Sequence, residues 1–287
     1  MNSYIAHMQR ITSAKEIFNI SKDQRNKGHK IGFVPTMGAL HEGHLSLVRR
    51  SKSENDITIC SIFVNPTQFN EVSDFQHYPR TLERDAELLE SIECDYLFAP
   101  SASEVYPIPD QTVYDLGEVA NVLEGEQRPG HFNGVASVVK RLFEMVIPHR
   151  GYFGLKDYQQ YLVIKKLVEN YDLDVEVIGC PIIRTQNGLA MSSRNTLLEE
   201  KQAQHALILN QHLAQAKKLI KEGEAPESVE EIIRSGLKTN GVDLEYFQIR
   251  KADDLSNPSS TDEPLIALVA ARFGEVRLID NMNLSLD

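Results

Sequence analysis

The sequence has no long hydrophobic run, few cysteines and fewer basic than acidic residues. Its longest apolar runs, SIFV at 61–64 and LIALVAA at 265–271, are of strand length, and its first residues lack the apolar core of a signal peptide. The three cysteines are an odd number without metal-ligand or CxxC spacing. We therefore expect no membrane segment, no signal peptide and a reducing, cytoplasmic location.

The net charge of −11 opposes a role in binding nucleic acid, because phosphate backbones are bound by basic surfaces. A nucleotide site in such a chain would have to meet the triphosphate with a few local cations, backbone amides and a metal. The standard phosphate loops are also missing. There is no GxGxxG, and Gly125 to Gly130 has Walker A glycine spacing but is followed by His131 and Phe132 instead of Lys and Ser/Thr.

What is present indicates two domains, in keeping with 287 residues. Apolar strands alternating with helices predict a doubly wound parallel-sheet (Rossmann-like) α/β nucleotide-binding domain over residues 1–178. Polar-faced helices followed by alternating strands predict a smaller α+β C-terminal domain over residues 179–287. The predicted strands are 31–35, 57–64, 96–100, 151–154, 174–179, 243–250, 265–271 and 275–280, and the predicted helices are 13–28, 81–93, 135–147, 157–171, 199–221 and 226–239.

The segment PTMGALHEGH at 35–44 comes at the end of the first predicted strand and enters a helix. His41 and His44 are three residues apart, so both fall on one face of the helix start, where free N–H groups favour an anion. Gly38 permits close backbone approach, and the imidazoles could donate to phosphate oxygens. A cap with incidental histidines, or a metal pair, is the alternative. The strand-turn-helix context favours the ligand site, and the segment resembles the HxGH signature of the nucleotidyltransferase superfamily, which implies ATP near Met37 to His44.

Two further segments carry phosphate-binding groups. Ser192, Ser193 and Arg194, in GLAMSSRN, combine hydroxyl donors with a fixed cation. Alone they would be a cap or loop, but together with HxGH they resemble the KMSKS-type loop of the same superfamily. In GLKDYQQ, Lys156 lies at a predicted helix start with Asp157 as N-cap, where it is either a phosphate ligand or an exposed lysine.

Amides and one acid complete the candidates. Asn65 and Gln68 follow the second parallel strand, and Gln160 lies one turn into a helix. Such amides can bind both a carboxylate and a hydroxyl without neutralising the nucleophile. Asp85, in YPRTLERD, is either a magnesium ligand or a solvated charge in the first turn of a helix.

Six segments in order, PTMGALHEGH, SIFVNPTQF, YPRT, EGEQRPGHFNGV, GLKDYQQ and LAMSSRN, resemble the pantothenate synthetase (pantoate–β-alanine ligase) family. The resemblance implies an ATP-dependent ligase that condenses (R)-pantoate with β-alanine through pantoyl adenylate, releasing AMP and pyrophosphate, with Mg²⁺ and a homodimer. It implies His41, His44, Lys156 and Arg194 as catalytic residues, with His44 as the proton donor; because attack by a carboxylate on phosphorus needs no proton from the enzyme, charge stabilisation is the alternative role of His44. It implies Gln68 and Gln160 as pantoate ligands, while Asn65 remains a candidate ligand of pantoate or β-alanine and Asp85 the candidate metal ligand. It implies an ATP site formed by Met37, Gly38, His41, His44, Gly154, Lys156, Asp157, Ile183, Met191, Ser192, Ser193 and Arg194.

The chain departs from the family at two positions and leaves two other functions open. Leu155 stands where acids or amides are common, and Arg84 stands where some members carry a second acid, which weakens a two-carboxylate metal site.

A nucleotidyltransferase that keeps the nucleotide on its product is one alternative function. A non-catalytic nucleotide sensor is the other, although a sensor needs no second phosphate clamp.

Overall fold

The computed structural model describes residues 8–69, 72–108 and 110–285, and the side chains of 72–74 are outside the description. Contact clustering divides the chain into two compact units. The first comprises Met1–Leu155 and Val163–Pro181, and the second comprises Lys156–Leu162 and Ile182–Asp287. The predicted domain boundary between residues 178 and 179 stays a prediction.

Regular secondary structure accounts for most of the described chain. The strands are β1 (Gln9–Ile11), β2 (Ile31–Thr36), β3 (Ile57–Ile62), β4 (Tyr96–Phe98), β5 (Arg150–Gly154), β6 (Glu176–Cys180), β7 (Asp243–Lys251), β8 (Leu265–Phe273) and β9 (Val276–Asn283). The α-helices are α1 (Ala14–Asn26), α2 (Glu42–Glu54), α3 (Val72–His77), α4 (Leu82–Ser91), α5 (Ala102–Val105), α6 (Glu124–Gln127), α7 (His131–Val146), α8 (Tyr158–Asn170), α9 (Glu200–Lys221) and α10 (Pro226–Thr239). No described helix is long and apolar enough to cross a membrane.

The first unit contains a six-stranded parallel sheet in the order β1-β4-β3-β2-β5-β6. Consecutive residues of β2, such as Phe33 and Val34, are both fully buried, because a parallel sheet is covered on both faces. The chain runs outward from β2 through β3 and β4, then returns to place β5 on the other side of β2. The strand order therefore reverses beside β2, and in open α/β sheets ligands bind at this position, outside the carboxyl ends of the strands.

The second unit contains an antiparallel sheet in the order β7-β8-β9. Alternate residues of β8, including Ala267 and Val269, form one core cluster with apolar residues of α9 and α10 such as Leu213 and Ile233. Helix α10 begins with Pro226, where a missing N–H costs no hydrogen bond.

The predicted doubly wound α/β unit with a smaller α+β unit is confirmed, and the predicted strands and helices all occur, the helix at 226–239 with its predicted bounds and the others with shifted ends. The N-cap of α1 is Ser13, the first residue of the helix predicted over 13–28. Helix α7 begins at His131, four residues before the predicted start. The short strand β1 was not predicted; it pairs with β4 at the edge of the sheet.

Candidate active site

The histidine pair lies at the carboxyl end of β2. His41 is the N-cap of α2, and its Nδ1 accepts a hydrogen bond from the Gly43 N–H at 3.1 Å. A ring nitrogen that accepts carries no proton, so the proton of His41 is on Nε2, which can donate to a ligand. The rings of His41 and His44 lie 4.1 Å apart between centroids. The pair thus presents imidazole groups at a helix N-terminus, where an anion is favoured.

The loop between β2 and His41 has an unusual backbone. Gly38 has φ of +82° and Ala39 has φ of +50°, so two consecutive residues are in the left-handed region. Glycine is required at 38 for space as well, since a Cβ there would lie 3.0 Å from Asp85 Oδ2. Ala39 carries a conformational cost of about 1–2 kcal/mol, which surrounding contacts must offset.

The carboxylate of Asp85 provides those contacts. The residue is fully buried in α4. Its Oδ2 accepts from the Ala39 N–H and its Oδ1 from the Leu40 N–H, both at 2.8 Å, and the Thr81 hydroxyl donates to Oδ2 at 3.1 Å. Both oxygens therefore hold the loop that leads into His41. The predicted metal role of Asp85 stays a prediction, and this geometry does not present its oxygens to a cation.

The amides Asn65 and Gln68 come together after β3. Asn65 is 1% exposed; its Oδ1 caps a 3₁₀ turn over Pro66–Gln68, and its Nδ2 donates to Gln68 Oε1 at 3.2 Å. Gln68 Nε2 lies 2.9 Å from Met37 Sδ, so the predicted pantoate residues adjoin the loop after β2. The Asn65 side chain thus binds neighbouring groups through both its oxygen and its nitrogen, and its predicted role as a substrate ligand stays a prediction.

Sequence reasoning missed the groups that fix these amides. The Tyr106 hydroxyl donates to Asn65 Oδ1 at 3.0 Å, and His131 Nδ1 lies 2.8 Å from the Gln68 carbonyl oxygen, which also accepts from Arg128. The backbone of α7 approaches so closely that a Cβ on Gly134 would lie 2.3 Å from the Thr67 carbonyl oxygen. Arg128, His131 and Gly134 all lie in the segment EGEQRPGHFNGV, but the spacing of its residues does not indicate which groups they contact.

Of the residues predicted around GLKDYQQ, Gly154 ends β5 in the first unit and the others belong to the second. A 3₁₀ turn over Leu155–Asp157 follows, and Lys156 Nζ lies 3.9 Å from Asp157 Oδ1. Asp157 directly precedes α8, as expected of a residue at a helix start, and Gln160 lies in the first turn of that helix.

The segment with Ser192, Ser193 and Arg194 follows a small hairpin in the second unit, in which Arg184 and Ala190 form an antiparallel bridge. The Met191 N–H donates to the Ile183 carbonyl at 2.9 Å, which places these two predicted ATP residues side by side. Ser192 then caps a 3₁₀ helix over Ser193–Leu197, and its Oγ accepts from the Arg194 N–H at 3.3 Å.

The predicted site residues are thus divided between the two units. The first unit contains Met37, Gly38, His41, His44, Asn65, Gln68, Asp85 and Gly154, and the second contains Lys156, Asp157, Gln160, Ile183, Met191, Ser192, Ser193 and Arg194. Within residues 8–69, 72–108 and 110–285, no group of three or more His, Cys, Asp or Glu side chains could hold a metal ion. The first unit supplies imidazole and amide groups and the second supplies cations and hydroxyl donors, which are the kinds of group that bind phosphate and small polar substrates.

Comparison with known proteins agrees with this chemistry. The model of the pantoate-beta-alanine ligase family matches residues 9–283. The pantothenate synthetase of Acetivibrio thermocellus is 46% identical over 278 residues, which cover 96% of this chain and 99% of the relative. The crystal structure of pantothenate synthetase from Thermus thermophilus is 39% identical with a TM-score of 0.91, covering 96% and 99% of the two chains. A pantoate-beta-alanine ligase from Francisella tularensis, complexed with beta-gamma ATP and β-alanine, is 38% identical with a TM-score of 0.80, covering 96% and 98%.

Proposed function

This chain belongs to the pantoate–β-alanine ligase family, and we propose that it condenses (R)-pantoate with β-alanine at the expense of ATP. The observation that carries the proposal is the group of polar side chains after β2 and β3: a histidine pair at a helix N-terminus, and two buried amides that adjoin the loop leading to it. The Francisella tularensis relative, whose structure contains a form of ATP and β-alanine, supports both as substrates here.

The reaction has two steps. A carboxylate oxygen of pantoate attacks the α-phosphorus of ATP, and the bond from that phosphorus to the bridging oxygen breaks to release pyrophosphate. The neutral amine of β-alanine then attacks the acyl carbon of pantoyl adenylate, the bond to AMP breaks, and the amine loses a proton to solvent as the amide forms. Binding both reactants on the enzyme makes each attack effectively unimolecular.

The histidines are proposed to stabilise charge. Negative charge builds on the phosphoryl oxygens during the first step, and the Nε2–H of His41 can donate to them, with His44 beside it. Attack by a carboxylate requires no proton from the enzyme. We therefore assign charge stabilisation, not proton donation, to His44.

The remaining predicted residues have the chemistry of ATP and pantoate ligands. Lys156 and Arg194, from the second unit, would supply cations to the triphosphate, with the Ser192 and Ser193 hydroxyls as further donors. Gln68 and Gln160 would hold the hydroxyl and carboxylate groups of pantoate. The other proposed ATP contacts are Met37, Gly38, Gly154, Asp157, Ile183 and Met191.

Magnesium is expected from the family, but the described residues do not fit a protein-built magnesium site. They contain no group of three or more His, Cys, Asp or Glu side chains that could hold a metal ion, and both oxygens of Asp85 accept backbone N–H groups. We propose that magnesium arrives on the phosphate oxygens of ATP, since this ion is commonly held by substrate phosphates and water. A cytoplasmic location and a homodimer are further proposals, and sedimentation of the purified chain checks the dimer.

Isotope exchange between pyrophosphate and ATP tests the proposed reaction. Exchange should require pantoate, and mass spectrometry of enzyme, ATP and pantoate without β-alanine should detect pantoyl adenylate. Exchange without pantoate would refute the substrate assignment. A nucleotidyltransferase would retain AMP on its product, so release of free AMP on addition of β-alanine excludes that alternative, and ATP binding without turnover would favour the sensor.

A further inference from the structure

Strand β9 carries two buried polar residues that the proposed reaction does not use. Asp280 is 4% exposed and Asn281 is 5% exposed. Together with Arg184 they form a hydrogen-bonded set within the second unit, called here the β9 network. The network contacts both segments of this unit that hold proposed phosphate ligands.

The first contact fixes the hairpin before Ser192. Both terminal guanidinium nitrogens of Arg184 donate to Asp280, with Nη1 to Oδ2 at 2.6 Å and Nη2 to Oδ1 at 2.9 Å. The same guanidinium donates to the carbonyls of Gly188 and Asn281, both at 3.2 Å. Bidentate pairing fixes orientation as well as distance, so β9 sets the direction in which this hairpin leads to Ser192.

The second contact fixes the turn that contains Lys156. Asn281 Nδ2 donates to the Lys156 carbonyl at 2.8 Å, and the Asn281 N–H is itself held by Asp280 Oδ1 at 2.8 Å. Neighbouring residues of one strand therefore hold both phosphate-binding segments of this unit.

We infer that Asp280 and Asn281 are positioning residues that set the location of Lys156 relative to Ser192 and Arg194. Stability alone does not require such a network, because a buried ion pair is often replaceable by apolar residues without loss. A bidentate pair and a directed amide instead specify geometry, which phosphate clamps need to within a fraction of an ångström. This inference rests on the proposed function only in treating the two segments as phosphate ligands.

The direct test is Asn281→Ala in the full chain, with Asn283→Ala as the matched control. Asn283 is the same residue type, two positions along the same strand, with an exposed side chain. We expect Asn281→Ala to weaken ATP binding, measured by calorimetry, by roughly three- to tenfold, the effect of one hydrogen bond. In Asn281→Ala the KM for pantoate, measured in the exchange assay, should stay at its wild-type value. In the control Asn283→Ala the thermal midpoint should stay at its wild-type value.

A double-mutant cycle separates positioning from a general structural role. If Asn281 acts through Lys156, the loss of ATP affinity should disappear when Asn281→Ala is added to Lys156→Ala. Asp280→Asn should raise the KM for ATP more than that for pantoate, and its thermal midpoint shows whether it remains folded. The inference would be overturned if Asn281→Ala reduced ATP affinity equally in the wild-type and Lys156→Ala backgrounds. Wild-type ATP affinity in Asn281→Ala would also overturn it. Absence of pantoate-dependent exchange in the wild type would refute the proposed reaction, while ATP binding would still test the network.

Discussion

Replacing Asp85 by Asn tests whether this carboxylate holds the loop after β2 or a metal ion. The amide keeps the size of the side chain but retains only one acceptor oxygen for the two N–H groups of Ala39 and Leu40. One charge-assisted hydrogen bond of a fully buried group is lost, and an NH₂ group faces a backbone donor. We expect the free energy of unfolding to fall by about 1.5–3 kcal/mol.

The effect on catalysis follows from the strained backbone. The left-handed conformation of Ala39 persists because Asp85 holds it, and its relaxation would release about 1–2 kcal/mol. His41 lies two residues after Ala39, so we expect relaxation of this backbone to shift the histidine pair relative to its proposed phosphate ligand. Because 1.36 kcal/mol corresponds to a factor of about ten, we expect pantoate-dependent exchange to slow by about tenfold or more.

The assay measures exchange over a range of Mg²⁺ concentrations beside thermal or urea unfolding, with Glu87→Gln as the control. Glu87 is an exposed carboxylate on the same helix. A loop-holding role leaves the magnesium midpoint unchanged while both kcat and stability fall. Wild-type stability, with activity restored by excess Mg²⁺, would refute this reasoning and favour the metal role.

Three further predictions follow from the same contacts. His44→Ala should slow exchange by about 10²–10³, as does removal of one oxyanion donor, and an unchanged rate would exclude it from the mechanism. Gln68→Ala should raise the KM for pantoate by about tenfold while ATP affinity is kept, and equal effects on both substrates would contradict its assignment. His149 Nδ1 accepts the Ile31 N–H at 3.0 Å, and burial lowers the pKa of this histidine below its ordinary 6.5. Its contribution to stability is therefore present above pH 6.5 and is lost as the pH falls through the lowered pKa. His149→Gln should therefore reduce the decrease in thermal midpoint that the wild type shows below pH 6.5. An unchanged decrease in the variant would mean that other groups cause it.

The elements that position the histidine pair could be predicted from sequence because their signals are local. The apolar strand at 31–35 followed by PTMGALHEGH specifies a strand, a turn and a helix start within a few residues. The start of α7 was predicted four residues late, since His131 and Gly134 interrupt its apolar pattern. Gly134 is there because α7 packs against Thr67, which is a tertiary contact that the pattern of α7 does not contain.

The roles of Asp85 and Asp280 could not be read from sequence for a related reason. An acid in the first turn of a helix is usually solvated, and nothing near Asp85 indicates that its oxygens bind N–H groups 46 and 45 residues earlier. Asp280 likewise ends an ordinary alternating strand pattern, and its partner Arg184 is 96 residues away. Both side chains are buried by contacts of long sequence separation, which local patterns do not encode.

The proposed reaction requires a chain of net charge −11 to bind a triphosphate, and these two acids contact the segments that carry proposed phosphate ligands. An ionised carboxylate facing the ligand would repel it strongly where water is excluded. The carboxylate of Asp85 instead faces two backbone N–H groups and a hydroxyl, and that of Asp280 faces the Arg184 guanidinium. Each negative charge is thus stabilised by a local partner and fixes a segment of backbone. The hydrogen-bond donors on these segments could therefore bind phosphate without a basic surface elsewhere on the chain.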